Sequence, residues 1–132
     1  MNEEHWLLEI VEAMPDGVVI VDAEGTMLLV NREVERLLGY TRDELLGQAV
    51  EMLLPEDLRT THVAHRATYN LEPHRRAMGR GLDLHARRKD GSIFPVEISL
   101  APAVVTGTDM VIATVRDVTA NRLAADELET AR

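Results

Sequence analysis

The sequence contains no cysteine. Disulfides, thiolate nucleophiles, zinc–thiolate sites and iron–sulfur clusters are therefore excluded, as is photochemistry through a cysteine–flavin adduct. Aromatic residues are almost as scarce, at 3%: Trp6, Tyr40, Tyr69 and Phe94. The core must be built from Leu, Val, Ile, Met and Ala. No apolar run approaches the roughly 18 residues that span a bilayer. The longest, GVVIV and MLLV, are strand-sized. The N-terminus, MNEEHW, is acidic where a secretion signal carries a basic flank. Basic charge is in the minority, and the net charge is −9. That disfavours nucleic acid, whose binders need cationic surface to displace counterions. One basic window, His74–Lys89, holds Arg75, Arg76, Arg80, Arg87, Arg88 and Lys89 against Asp83. No aromatics interleave with it, so it reads as a solvated face or partner surface. The expectation is a cytoplasmic segment without membrane contact or a nucleic-acid partner.

What is present fits one domain of 132 residues. Residues 3–14 read as a helix, with Trp6, Leu7, Ile10, Val11 and Met14 on one stripe and glutamates opposite; Pro15 stops it. GVVIVDAEGTMLLVN (17–31) reads as a hairpin turning at DAEG. Both its strands are apolar on both faces, so each face needs a cover, and the N-terminal stripe is a candidate for one. Residues 31–40 read as a short helix capped by Asn31 and ended by Gly39, with Val34, Leu37 and Leu38 inward. Residues 41–47 repeat the pattern, with a Thr41/Glu44 capping box. The longest predicted helix is 55–72, where Leu58, His62, His65 and Tyr69 share a face.

Past that helix the period changes to two. Leu82, Leu84 and Ala86 alternate with polar residues, and KDGS carries a hairpin signal. Phe94, Val96, Ile98 and Leu100 then alternate with Pro95, Glu97 and Ser99. A last strand is expected over 109–119, after the loop TGT, and a helix over 120–132. Strands grouped at both ends of a helical middle define an α+β class with an antiparallel sheet.

Catalysis finds little support. Ser92 sits in a turn, Asp43 and Glu44 are explained by capping, and GRG at 79–81 lacks the lysine and following helix of a phosphate loop. His62 and His65 stand at i, i+3 with no convergent third ligand, short of a four-coordinate metal site. The expectation is neither an enzyme nor a metalloprotein. Leu82, Leu84, Phe94, Val96 and Ile98 instead form one sheet face, opposite Leu58, His62, His65 and Tyr69. Between them lies either a filled core or a hollow for a small apolar or amphipathic ligand. The stripe at Trp6, Leu7, Ile10, Val11 and Met14 and the closing helix are the candidate homodimer surfaces.

The words PDGVVIVDAEGTMLLVN (15–31), LLGYTRDELLGQAV (37–50), GLDLHARRKDGSIFPVEISLAP (81–102) and VIATVRDVT (111–119), in that order, resemble the PAS sensory domain family. The resemblance covers residues 13–119. It implies a five-stranded antiparallel sheet with helices on one face. It divides the chain into a flanking helix (1–14), a PAS core (15–119) and the start of a signalling helix (120–132). It also implies a place in a larger two-component or related signalling protein whose output domain follows residue 132. DVT at 117–119 is similar to the family's closing Asp-x-Thr element, which makes Asp117 and Thr119 candidate relay residues. No cofactor is expected. The alternatives are haem, with His62 at the matching register of haem-binding members, and flavin. Against haem, Leu82 follows GRG where the family's oxygen sensors carry arginine. Against flavin, the family's flavin motif with its cysteine is absent from 55–72.

Overall fold

The computed structural model describes residues 3–55, 76–78 and 84–120. In chain order these form α1 (Glu3–Ala13), β1 (Gly17–Asp22), β2 (Met27–Val30), α2 (Arg32–Leu38), α3 (Arg42–Leu45), a 3-10 turn (Val50–Leu53), β3 (Arg76–Met78), β4 (His85–Arg87), β5 (Ile93–Val105) and β6 (Thr108–Asp117). The predicted helix 55–72 lies outside the described residues beyond Pro55, as does the helix expected over 121–132. The 3-10 turn was not anticipated, because four residues are too few to show a helical period.

The sheet is antiparallel, with order β2-β1-β6-β5 and an edge shared by β3 and β4. Both edge pieces pair with β5. Met78 stands opposite Ile98, and His85 opposite Pro95. Continuing β3's register would put residue 81 opposite Pro95, so the two pieces are four residues out of step. The two-residue period read from Met78 onward rests on Leu82, Leu84 and Ala86 and does not reveal β3 as a separate piece. Its three residues, Arg-Ala-Met, carry no alternation that could reveal it.

Each local device has a visible cause. Asn31 caps α2 by accepting from the Val34 N–H, and Gly39 closes it in the left-handed region. Thr41 and Glu44 exchange both bonds of a capping box. Asp22 Oδ1 accepts from the Glu24 and Thr26 amides, shaping the β1–β2 turn. The alternating segment predicts a strand over 93–102, and β5 runs three residues further, to Val105. Instead of a loop, a two-residue turn at Thr106 (φ 51°) and Gly107 (φ 77°) joins it to β6, with Val105 facing Thr108. Positive φ at both turn residues is the type I′ geometry whose twist suits hairpins.

The two faces of the sheet carry separate apolar clusters. On one face, Val19, Val21, Phe94, Val96 and Val115 pack with Met27, Val30, Val34, Leu37, Leu38, Leu45 and Leu53 under α2, α3 and the 3-10 turn. On the other, Val18 and Ile20 pack with Val11 of α1, flanked by Leu29, Met110 and Ile112. The double-apolar character of β1 is thus satisfied on both sides. At Gly17 an added Cβ would lie 3.1 Å from Val34 Cγ2 and 3.4 Å from the Val115 carbonyl, which is how α2 packs so closely on the sheet.

α1 covers the second face, as the stripe suggested, but does so through Val11. Of the predicted stripe, Val11 is buried against its own sheet, whereas Trp6 and Ile10 remain 59% and 55% exposed and Met14 is also exposed. Leu7 falls within α1, its side chain outside the described set. Val11 is therefore not available to a partner, which corrects its place among the dimer-surface candidates. Glu12, read as part of the solvated side, is half-buried and pairs with Arg42 of α3 at 2.5 Å and Arg32 of α2 at 3.6 Å.

Candidate functional site

Of the nine predicted lining residues, the described structure brings together four: Leu84, Phe94, Val96 and Ile98. Phe94 and Val96 are buried; Leu84 and Ile98 pack at the margin of the same cluster. Alternation along β5 produces this, since every second side chain points to one face. Ala86 of β4 stands opposite Phe94, and Ile98 stands opposite Val115 of β6, so neighbouring strands continue the wall. Leu58, His62, His65, Tyr69 and Leu82 lie outside the described residues.

A polar clasp closes one end of this wall. Arg88 follows β4 on the same parity as Leu84 and Ala86, and its guanidinium lies over the Phe94 ring, 3.9 Å from the centroid. Its Nε donates to the Leu37 carbonyl at the end of α2 (3.1 Å), and its Nη1 to Ser92 Oγ (3.3 Å). Its Nη2 lies 3.6 Å from Asp117 Oδ2. One planar side chain thus meets α2, the β4–β5 turn, the core aromatic and the end of β6. A lysine could not repeat this, because the flat fork serves both stacking and multiple acceptors. The sequence reading absorbed Arg88 into a solvated basic window. The signal for it was present in the period: an arginine two residues past a buried alanine points to the buried face.

Asp117 and Thr119 do come together. Asp117 Oδ1 accepts from the Thr119 amide (2.9 Å) and from its hydroxyl (2.6 Å). The carboxylate therefore has one oxygen on the chain leaving the sheet and the other facing Arg88. Its neighbour Arg116 points to the opposite face and meets Asp16 through two contacts of 3.2 Å. Hydrogen bonding to Asp16 raises the Arg116 pKa above the ordinary guanidinium value.

Among the described residues outside this clasp, Asn31 is the most connected side chain. It is fully buried. Its Oδ1 accepts from the Val18 and Val34 amides, and its Nδ2 donates to the carbonyls of Val11 and Asp16. The amide thereby ties α1, the turn after it, β1 and α2 to a single point.

Among the described residues no group of three or more His, Asp or Glu is placed to hold a metal ion. Among them also, no helix is long and apolar enough to cross a membrane.

A curled antiparallel sheet with short helices over one face, a flanking helix over the other and an Asp-x-Thr exit defines a sensory-domain class. The family model described as the PAS fold matches residues 7–118, and the chain belongs to that family. It is a sensory module of the kind found in signalling proteins. Among curated relatives, it is 29% identical over 128 residues to the sensor protein FixL of Bradyrhizobium diazoefficiens, covering 97% of this chain and 25% of that protein. It is 31% identical over 102 residues to the oxygen sensor protein DosP of Escherichia coli, covering 76% of this chain and 13% of that protein. The chain thus spans a quarter or less of the length of these relatives. Among solved structures, the PAS domain of an HTR-like protein from Haloarcula marismortui superposes with a TM-score of 0.71 at 26% identity, covering 86% of this chain and 90% of that one. An RNA-binding light-oxygen-voltage receptor reaches a TM-score of 0.78 at 19% identity, covering 98% of this chain and 37% of that one, a likeness of fold alone.

Proposed function

We propose that this chain is the sensory and dimerisation module of a larger cytoplasmic signalling protein, and that it answers to a small apolar or amphipathic ligand. The observation that carries the reading is the apolar wall of Leu84, Phe94, Val96 and Ile98, clasped at one end to the relay carboxylate of Asp117. Leu58, His62, His65, Tyr69 and Leu82 would complete the lining, with an imidazole or the phenol orienting the ligand's polar end. Each ligand CH₂ withdrawn from water there contributes about 0.8 kcal/mol. Residues 15–119 act as the core, 1–14 as the dimerising flank through Trp6, Leu7, Ile10 and Met14, and 120–132 as the start of the helix that reaches an output domain. The lengths of the curated relatives support that larger parent. In this reading the module itself performs no catalysis.

The test is native mass spectrometry of freshly purified protein, followed by thermal-shift screening against fatty acids and small amphiphiles. A co-purified mass of a few hundred daltons, or a saturable rise in melting temperature, supports the ligand reading. A bare mass and no shift across the panel reject it in favour of a filled core.

A second reading is a haem- or flavin-dependent gas or redox sensor. The relative named as an oxygen sensor, at 31% identity, favours it. His62 would then be the haem ligand. Absorbance separates the two readings: a Soret or flavin band after reconstitution supports the cofactor, and its absence excludes it.

A further inference from the structure

The two edges of the sheet are finished differently. The β2 edge is closed by the chain itself. The Met27 N–H donates to the Gln48 carbonyl, the Gly47 N–H to the Met27 carbonyl and the Val50 N–H to the Gly25 carbonyl, each at 2.9 Å. The β4 edge is open. In an antiparallel ladder the N–H and C=O of one residue share a side, and successive residues alternate sides. The Leu84 carbonyl accepts from the Val96 N–H at 3.0 Å, and Ala86 stands opposite Phe94, so Leu84 and Ala86 face β5. The N–H and C=O of His85 and Arg87 therefore point away from the sheet. Among the described residues none pairs with them. The next outward amide, that of Lys89, donates to the Leu38 carbonyl at 2.9 Å, and the open strip ends there.

The same strip is cationic in an acidic molecule. Residues 74–89 hold six of the chain's 14 basic residues and one of its 23 acidic ones. Two of those cations are engaged internally: Arg88 faces Asp117 at 3.6 Å, and Lys89 meets Glu44 at 2.6 Å. Arg87 has no ion-pair partner among the described residues. Its guanidinium lies by the β4–β5 turn, with Nη2 3.7 Å from where a Cβ on Gly91 would stand. Charge along an edge guards against unwanted pairing. Cations alone repel a second copy of the same edge and attract a strand of opposite charge.

We propose that the outer edge of β4 docks an extended acidic segment of a partner protein, which joins the sheet as a further strand. The segment's backbone meets the N–H and C=O groups of His85 and Arg87. Its acidic side chains lie on the outer face beside Arg87. Main-chain bonds supply the affinity, and charge supplies the choice of partner. Docking there does not use the apolar wall, so it stands apart from the ligand reading above, and a filled core leaves it intact.

The experiment is a ¹⁵N NMR titration of the full 132-residue chain with a capped peptide of alternating glutamate and valine, about six residues long. The expected result is saturable shifts at His85 and Arg87, with amide exchange there slowed about tenfold and the Met27 amide of the closed edge unchanged. Arg87→Glu should weaken binding about tenfold, because reversal replaces an attraction with a repulsion. A second arm needs no altered protein. The peptide is N-methylated either at its glutamates or at its valines, which keeps the charge and blocks one backbone edge at a time. Only the form whose methyl groups face β4 should lose binding. Equal behaviour of the two forms overturns the proposal. So does a lysine–valine peptide that binds as well, an oligothymidylate that produces the same shifts through charge alone, or a titration that leaves His85 and Arg87 unmoved.

Discussion

Replacing Asn31 tests the central joint of the fold, because a single amide there serves four backbone groups. In Asn31→Ala, the Val18 and Val34 amides lose their acceptor, at 2.9 and 3.1 Å, and the Val11 and Asp16 carbonyls lose their donor, at 2.9 and 3.0 Å. The Val34 amide is the N-cap donor of α2, and losing a cap costs about 0.5–2 kcal/mol. Each other stranded buried group costs about 1–3 kcal/mol. Water reaching the half-buried Asp16 turn and relaxation of α1 recover part of this, so the net loss is about 3–5 kcal/mol. Against a domain stability of roughly 5–15 kcal/mol, that is a third or more of the whole. The melting temperature should fall by roughly 10–20 °C. Urea unfolding followed by circular dichroism measures it directly, with the slope checked for two-state behaviour. Asn31→Asp sharpens the test. It keeps the acceptor and the volume but turns an oxygen toward two carbonyls. The two retained amide donors favour the carboxylate, whereas complete burial and the two carbonyls favour the neutral acid; with burial the larger effect, the folded pKa is expected above the unfolded value of about 4. The native state then holds the proton more tightly. Relative to the unaltered protein, the variant loses stability as pH rises from the unfolded toward the folded pKa, and regains it in acid. An alanine variant within about 1 kcal/mol of the parent, or an aspartate variant with no such pH dependence, would refute the hub.

The remaining predictions concern other parts of the molecule. Thr106 is a β-branched residue at φ 51° in a type I′ turn, so Thr106→Asn should stabilise the chain by about 0.5–1 kcal/mol, read by chemical denaturation. Ile10→Asp should leave thermal stability near that of the parent while lowering the mass seen in sedimentation if α1 dimerises. Val11→Asp, which buries a charge against Val18 and Ile20, should unfold the domain. Glu44 has its pKa held below the ordinary range, first by its bond to Lys89 and then by the Thr41 amide. A depressed carboxylate stabilises the fold above its unfolded pKa and loses that contribution as pH falls through the folded value. The stability gap between the parent and Lys89→Met should therefore be open at neutral pH and close in acid.

Much of this architecture was readable in advance, for local reasons. The cap at Asn31, the box at Thr41 and Glu44, the stop at Gly39 and the DG turn each depend on a few adjacent residues, and each appears as expected. The wall at Phe94, Val96 and Ile98 was legible because alternation over a long strand is a strong signal. Val11 and Arg88 were misassigned for one shared reason. Trp6, Ile10 and Val11 are equivalent on a helical stripe, and Arg87, Arg88 and Lys89 are equivalent in a charge run, until something packs against one of them.

The order of strands, the apolar and polar periods and the lack of any thiol belong to the sequence alone. They were sufficient to define an antiparallel α+β class and to exclude cysteine chemistry; the sensory reading came from the resemblance of four motifs to the PAS family. Tertiary structure alone decided which member of each set does the connecting. It singled out Val11 from its stripe, drew Arg88 out of its basic window onto Phe94 and Asp117, and brought Asp16 against Arg116 from a hundred residues away. Periodicity is a property of neighbours along the chain, whereas a contact across the sheet depends on the register of strands that only the folded molecule sets.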